Sequence, residues 1–399
     1  MLTDLTLTYE DLIKFNLVER IEAKRSIPSE TINKLYSALS DIKSIDQFIK
    51  ESPSFPDSTD KILRSELVSV IGSTLSLEGV NLDKEETEEG LRKAEIGETL
   101  ERKEQEADNS RKAYRFILSF VLDNKDNPIV TEQVIKQIHT YFTDGMNYVS
   151  NTPGKYRSNF TTSFGEPRKQ TLCLTESEIE TAMKNLVEWI NRKETGIISS
   201  FPIVKAIMAH YYLTEIHPFG DGNGRTARAV EALILSIHGI NNYCFWSLAN
   251  FWSAHRNEYI THLHNIRVTL DPLEFIIWGL EGYRDEIRKV KARVLKKVKS
   301  LMLLDYVRYL LRSKREQEIK INHRIVDIIQ FLIQQGQPIP LKKFYNLPQV
   351  LVFYKNTPST RTRDFQKMFK LGLISYPNIN DEEYIEVDFR ILEKLVYHV

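Results

Sequence analysis

The sequence predicts a mainly α protein with a β-hairpin, or flap, near its middle and a small C-terminal unit that mixes helices with two short strands. Two patterns predict it. Apolar residues recur every three or four positions through most of the chain, the spacing of a helix face. Residues 151–174 and 372–388 break that rhythm, with β-formers set between Pro, Gly, Asn and Asp. At 399 residues, 42% of them hydrophobic and 27% charged, the chain can build two or three sizeable cores.

Residues 28–50 read as a helix, with Ile32, Leu35, Leu39, Ile42 and Ile45 on one face. "ESPSFPDSTDK" (51–61) reads as a loop in which Ser58 or Asp60 caps the next helix, and that helix ends near Gly79. Residues 81–110 are rich in acids and read as a solvated loop and helix face. Two helices fill 112–142, parted by the turn DNKDNP, and the flap follows over 151–174. Thr175, with Glu178 three residues on, forms a capping-box pattern that opens a helix running to about Arg192. Residues 202–216 are apolar nearly all round, so their helix is buried. A helix over 227–238 has Gly239 just past its end, and helices over 250–265 and 272–295 come next.

The chain then changes character. Residues 284–324 carry 14 Lys and Arg against 5 Asp and Glu, a local basic exception read as a linker helix and interdomain strut. After it come helices over 324–334, 341–345 and about 359–371, and then "GLISYPNINDEEYIEVD" with an Asn/Asp turn between two strands. Three helices followed by a short hairpin fit a winged helix. The expected organisation is a helical region over 1–110, a catalytic core over 111–285, a basic linker over 286–320 and a winged-helix domain over 321–399.

Composition excludes several classes. The formal net charge is +0, which predicts no general attraction to nucleic acid or to a membrane surface. Two cysteines, Cys173 and Cys244, exclude a disulfide framework and a cysteine-based zinc site. The N-terminus, MLTDLTLTYEDL, has no basic stretch followed by an apolar one, and no apolar run approaches a membrane span. The chain reads as cytoplasmic, with no membrane partner.

The most informative segment is "HPFGDGNGRTAR" (217–228), set between two strongly apolar stretches. Pro218 disfavours helical backbone at His217, so the buried helix stops at Ile216 and leaves His217 at its C-terminal end. The next helix begins near Gly224 and Arg225, where unpaired amides carry partial positive charge. Gly220, Gly222 and Gly224 clear side chains from an approaching anion and permit the positive φ angles of a nest. Arg225 and Arg228 lie on one helix face in that first turn, where they repel it, so an anion must offset them. Polyphosphate is the natural candidate, and Asp221 adds a hard oxygen ligand for Mg²⁺ beside it. His217 supplies a base of near-neutral pKa. Together these groups suit transfer of a phosphorus-centred group to a hydroxyl. Gly220-x-Gly222-x-Gly224 follows a helix and has the wrong spacing for a dinucleotide fingerprint. Arg225 stands where an EF-hand loop needs an acid or amide, and His210 reads as a core histidine, not a metal ligand.

This segment resembles the signature of the Fic family, His-x-Phe-x-Asp/Glu-Gly-Asn-Gly-Arg-x-x-Arg, at every fixed position. The resemblance extends over roughly 110–285, where "PGKYRSN" (153–159) is similar to the start of the family's substrate-binding flap. "WSLANFWSAHRNEYITHL" (246–263) is similar to the helix that closes the adenine side. The resemblance implies a Fic-type helical bundle and a nucleotidyltransferase that moves AMP from ATP to a Ser, Thr or Tyr hydroxyl. It implies His217 as base, Asp221 as Mg²⁺ ligand, Gly222, Asn223 and Gly224 as anion hole, and Phe219 as the loop's anchor in the core. Arg225 would contact the phosphates and Arg228 orient the γ-phosphate. Ala227 stands where many relatives have Gly, and Tyr259-Ile260 where many have paired tyrosines, so the adenine contact falls to Tyr259 or Ile260.

"GSTLSLEGVNL" (72–82) resembles the family's inhibitory motif through Thr74, Glu78 and Gly79. A Glu78–Arg228 pair would deny that arginine to the nucleotide and hold the enzyme autoinhibited. The same glutamate would alternatively position a water for AMP removal. A further alternative is a DNA-binding regulator with a sensory Fic core, in which Arg361, Arg363, Lys367 and Lys370 meet DNA phosphates. Relatives often dimerise, which makes a homodimer a partner to test.

Overall fold

The computed structural model describes residues 7–24, 27–52, 56–148, 151–158, 174–241, 248–312, 316–354 and 357–396. It divides into two compact units, Met1–Lys291 and Ala292–Val399. Cys173, Cys244 and most of the expected flap, 159–173, lie outside the described residues.

The first unit is helical. Short helices α1 (Tyr9–Leu12) and α2 (Leu17–Lys24) precede α3 (Ser29–Glu51), α4 (Pro56–Leu77), α5 (Lys84–Ile96), α6 (Arg102–Asp123) and α7 (Glu132–Thr143). Then come α8 (Glu176–Asn191), α9 (Pro202–Ile216), α10 (Asn223–Ile237), α11 (Ala249–Ala254), α12 (Arg256–Thr269) and α13 (Leu273–Leu310). α9 and α10 form the centre, packed along each other, with α8 beside α9 and with α4, α6 and α7 against α10. Every side chain from Ile203 to Leu213 is buried, as the all-round apolar pattern requires. That includes Lys205, whose ammonium donates to the carbonyls of Trp189, Ile190 and Arg192 at the end of α8. A cation there meets the negative end of the helix dipole. Thr175 caps α8 through the expected box with Glu178.

Four expectations need correction. α4 starts at Pro56, within the stretch read as a loop; proline is well suited to a helix's first turn, where its missing N–H is no loss. The acid-rich stretch 81–110 holds α5 and the start of α6, opened by capping boxes at Asp83/Glu86 and Glu101/Glu104. Its charges are only partly solvated: Glu106 and Asp108 are buried, and Asp108 pairs with Arg111 and Lys112 just beyond the stretch. The helix expected over 250–265 breaks at His255, whose backbone leaves helical space at φ −123° and ψ 38°. α13 runs on to Leu310, well past the expected end near 295, because no Gly or Pro interrupts the sequence there.

The second unit continues through α14 (Glu316–Gln335), β1 (Ile339–Pro340), α15 (Leu341–Phe344), α16 (Pro348–Tyr354), α17 (Pro358–Lys370), β2 (Ile374–Ser375), β3 (Asn378–Ile379), β4 (Glu382–Val387) and α18 (Arg390–Val396). β4 pairs antiparallel with β1, β2 and β3, in register Ile339↔Ile385, Ile374↔Val387 and Asn378↔Glu383. Asn380 and Asp381 hold φ of 51° and 61°, the left-handed pair that a tight hairpin between β3 and β4 requires. Leu303 and Val307 of α13 share this unit's core with Ile328, Phe344, Phe365 and Ile385. Beneath it Arg324 and Tyr354 donate to the buried carboxylate of Asp364, at 2.9 and 3.2 Å. Among the described residues no helix is long and apolar enough to cross a membrane.

Candidate functional site

The site is the turn between α9 and α10. α9 ends at Ile216 and His217 takes left-handed backbone, φ 48° and ψ 58°, its N–H closing on Leu213 O at 3.0 Å. Phe219 is fully buried and anchors the turn, stacked on His139 of α7 at 3.7 Å with an interplanar angle of 4°. Asn223 brackets the same residue: Phe219 N–H donates to its Oδ1 and its Nδ2 donates to Phe219 O, both at 2.9 Å. Its side chain is therefore committed to shaping the loop, which leaves its backbone amide for an anion.

The glycines have different reasons. Of the three in this turn only Gly222 has positive φ, 75°. A Cβ there would lie 3.0 Å from Thr143 Cγ2, so the loop presses on α7. Gly224 is in helical space, and its missing side chain serves access: a Cβ would lie 2.3 Å from Glu78 Oε1. The carboxylate of Glu78 therefore rests over the first turn of α10.

The two arginines of that turn find separate acids. Arg228 is 2% exposed and bonds the end of α4 three times: Nη2 to Glu78 Oε1 at 2.6 Å, Nε to Thr74 Oγ1 at 2.7 Å and Nη2 to Thr74 O at 3.0 Å. Gly79 follows at φ 83° and turns the chain away. Burial by itself would raise the Glu78 carboxyl, but Arg228, then Arg225 and His217, hold it below the ordinary carboxylate value. Arg225 donates to Tyr148 Oη at 2.9 Å, Asp221 Oδ1 at 3.0 Å and Glu106 Oε2 at 3.4 Å. Its Nε is buried with no protein partner. The anion that two arginines at a helix N-terminus require is thus supplied here by side-chain carboxylates, where the sequence alone suggested phosphate.

Asp221, 42% exposed, presents the outermost carboxylate of the turn. Among the described residues no three His, Cys, Asp or Glu side chains converge on a metal position. The His217 ring is desolvated, which pushes its pKa down to about 4 against an opposing hydrogen bond with the Thr214 backbone. Tyr259 on α12 is 7% exposed and its hydroxyl lies 2.8 Å from His210 Nε2. His210 Nδ1 lies 3.1 Å from Glu231 Oε2, so that nitrogen carries the proton and Nε2 accepts from Tyr259. Ile260 next to it is half-buried.

A model of the Fic/DOC family matches residues 129–235. Protein adenylyltransferase fic-1 of Caenorhabditis elegans is 47% identical over 57 residues, 14% of this chain and 11% of that protein. Protein adenylyltransferase Fic of Aedes aegypti is 33% identical over 86 residues, 22% of this chain and 16% of that protein. A solved Fic family protein from Desulfovibrio desulfuricans G20 aligns with a TM-score of 0.52 at 16% identity, over 88% of this chain and 95% of its own. A solved fragment of Fic-1 from C. elegans gives 0.52 at 20% identity, over 72% and 85%. Residues 129–235 form a Fic/DOC-family domain. The chain matches about a tenth to a sixth of the length of those curated relatives.

Within this Fic fold the structure adds residues that the motif does not contain. Arg157, just after Gly154, donates from N–H to Pro218 O at 2.9 Å and from Nε to His217 O at 2.8 Å. His139 and Asn151 hold the backbone of Asp221, while Glu106 and Tyr148 hold Arg225. None lies within 50 residues of the motif in sequence. A buried histidine on the apolar face of a helix, such as His139, was the available signal.

Proposed function

We propose that the chain is a protein adenylyltransferase, moving AMP from ATP to a hydroxyl of a protein substrate, and that Glu78 keeps it inactive until displaced. One observation carries this reading: a protein carboxylate sits over the first turn of α10, held by Arg228 at 2.6 Å. An anion receptor is built there and a side chain answers it, the position a triphosphate would contest. The names of the similar proteins, protein adenylyltransferases, support the same activity.

In the proposed reaction the acceptor oxygen bonds to the α-phosphorus. The bond from that phosphorus to its bridging oxygen breaks and pyrophosphate leaves. The hydroxyl proton passes to His217. With its pKa near 4 the imidazole is free of a proton at neutral pH. So weak a base sits at the low end of the roughly 10²–10⁴-fold that general bases contribute. The amides of Asn223 and Gly224, that of Gly222 once it is released from Asp221 Oδ1, and the free Nε of Arg225 then carry most of the charge stabilisation. Arg228 exchanges Glu78 for the terminal phosphate. Tyr259 and Ile260 line the adenine side.

The residues present fit Mg²⁺. Asp221 offers one accessible hard carboxylate beside the cradle, and Mg²⁺ usually takes one or two carboxylates, with phosphate oxygens and waters completing its shell. The ion would neutralise phosphate charge.

We read residues 321–399 as a winged helix used for protein contact. Of the cations considered for DNA, Lys367 bonds Asn322 Oδ1 at 3.1 Å and Arg361 lies over the Tyr345 ring at 4.3 Å, so both already have partners within the unit. Retardation of duplex DNA by the full chain at physiological salt would overturn this.

Transfer of label from [α-³²P]ATP to protein tests the main reading. Glu78→Gly is expected to label strongly and the Glu78→Gly, His217→Ala double variant to label not at all. Faster loss of AMP from pre-labelled protein with wild type than with Glu78→Gly would instead favour removal as the reaction.

A further inference from the structure

α7 presents one face to two separate segments. Lys136, His139, Thr140 and Thr143 lie a turn apart along it. Gly154, with φ 73°, rests on this face so closely that a Cβ would lie 2.5 Å from Thr140 Oγ1 and 3.4 Å from Lys136 O. Gly222, with φ 75°, rests on the next turn, where a Cβ would lie 3.0 Å from Thr143 Cγ2 and 3.4 Å from the His139 ring. One glycine belongs to the segment 151–158, the other to the anion-binding turn. His139 lies between them and is fully buried.

The bonds of its ring fix its chemistry. A carbonyl only accepts, so Nε2 must donate to Asp221 O at 2.9 Å. A backbone N–H only donates, so Nδ1 must accept from Gly154 N at 3.0 Å. One neutral tautomer satisfies both, and each nitrogen serves a different segment. The ring face meets Phe219. The two ring nitrogens sit on opposite edges of one rigid plane, so a single side chain spans both segments.

We propose that His139 is a positioning residue that sets the register between the segment 151–158, whose Arg157 holds the backbone of His217, and the nucleotide-binding turn, so that the base aligned by one meets the phosphorus held by the other. This rests on the adenylyl-transfer reading of the turn. A slip of about 1 Å between the two is enough to cost on the order of 10²-fold.

Glutamine and asparagine divide the two bonds. His139→Gln places an amide N–H where Nε2 was, keeping Asp221 and losing Gly154. His139→Asn places an oxygen where Nδ1 was, keeping Gly154 and losing Asp221. The full chain is used, in the Glu78→Gly background, with two measurements. Backbone hydrogen exchange without nucleotide is expected to speed up at Gly154 in the Gln variant alone. It is expected to speed up at Asp221 and Gly222, whose amides are bonded to Asn151 and Asp221 Oδ1, in the Asn variant alone. Labelled AMP transfer is expected to fall about 10²-fold in both, with the KM for ATP raised in the Asn variant and unchanged in the Gln variant. Exchange unchanged at both places, or faster throughout the unit in both variants, overturns the proposal. So does transfer at the parental rate in either variant that shows the expected exchange. If the parental Glu78→Gly chain transfers no AMP, the activity reading fails, and the exchange pattern still decides whether His139 holds the two segments.

Discussion

Removing the carboxylate of Glu78 is the sharpest perturbation of this site. In the Glu78→Gly variant Arg228 loses its bond to Oε1 at 2.6 Å but keeps Thr74 Oγ1 and Thr74 O, so the guanidinium stays where it is. Two effects then favour a terminal phosphate. A charge-assisted bond no longer has to be exchanged, about 1.5–3 kcal/mol. A like charge no longer stands over the amides, about 4 kcal/mol at a 4 Å separation and an effective dielectric constant of 20. The second figure shrinks because the Glu78 side chain is 32% exposed and screened by water. The two also overlap, so a combined release of about 3–4 kcal/mol is the reasonable sum, or roughly 10²–10³-fold in transfer rate. Glu78→Gln removes the charge and keeps the bulk, so it should recover about 10-fold to 10²-fold. The assay is the initial rate of acid-stable label from [α-³²P]ATP, with His217→Ala in the same background as zero and the thermal midpoint as a check on folding. Equal His217-dependent rates for wild type and Glu78→Gly would refute the argument, since the contact would then carry no weight in solution.

Three further outcomes follow from the geometry. Gly224→Ala should destabilise the wild type by about 1–3 kcal/mol in urea, because the new Cβ meets Glu78 Oε1 at 2.3 Å, and should cost far less in the Glu78→Gly background. Additive effects in that double-mutant cycle would contradict the placement of Glu78. The His217 ring, pushed down to about 4, acts when unprotonated, so transfer by Glu78→Gly should stay level as pH falls through the ordinary histidine range and drop only toward 4; Glu78 raises this pKa, so its loss moves the drop lower still. A midpoint near 6.5 in the pH–rate profile would remove His217 from the base role. Lys205→Met should lower stability by about 3 kcal/mol, measured by urea unfolding, because it strips an ammonium from three buried carbonyls at the end of α8.

The acids around α10 give the site an economy of charge. Glu78, Glu106 and Asp221 together answer two buried guanidinium groups, so the turn keeps its shape with only side-chain anions present. On the function proposed above, a phosphate has to compete with the protein itself, and a single carboxylate governs the site.

The sequence by itself determined what is local. Helix rhythm located α9 and α10, Pro218 fixed the end of α9, and the Thr175/Glu178 pair fixed the start of α8, because each depends on neighbours within a turn or two. The chemistry proposed for residues 217–228 rests on the same kind of signal: the glycines, the arginines and the imidazole it uses are consecutive. Boundaries failed where competing signals overlap, as at Pro56 and His255. Apart from the Glu78–Arg228 pair that the family resemblance implied, the tertiary structure alone decided which acid meets which arginine. Glu78 stands 150 residues from Arg228, Glu106 119 from Arg225, and His139 82 from Asp221. Spacing along a chain carries no information about such pairs; only the packing of α4, α6 and α7 on α10 brings them within hydrogen-bonding distance, and burial gives those contacts their strength.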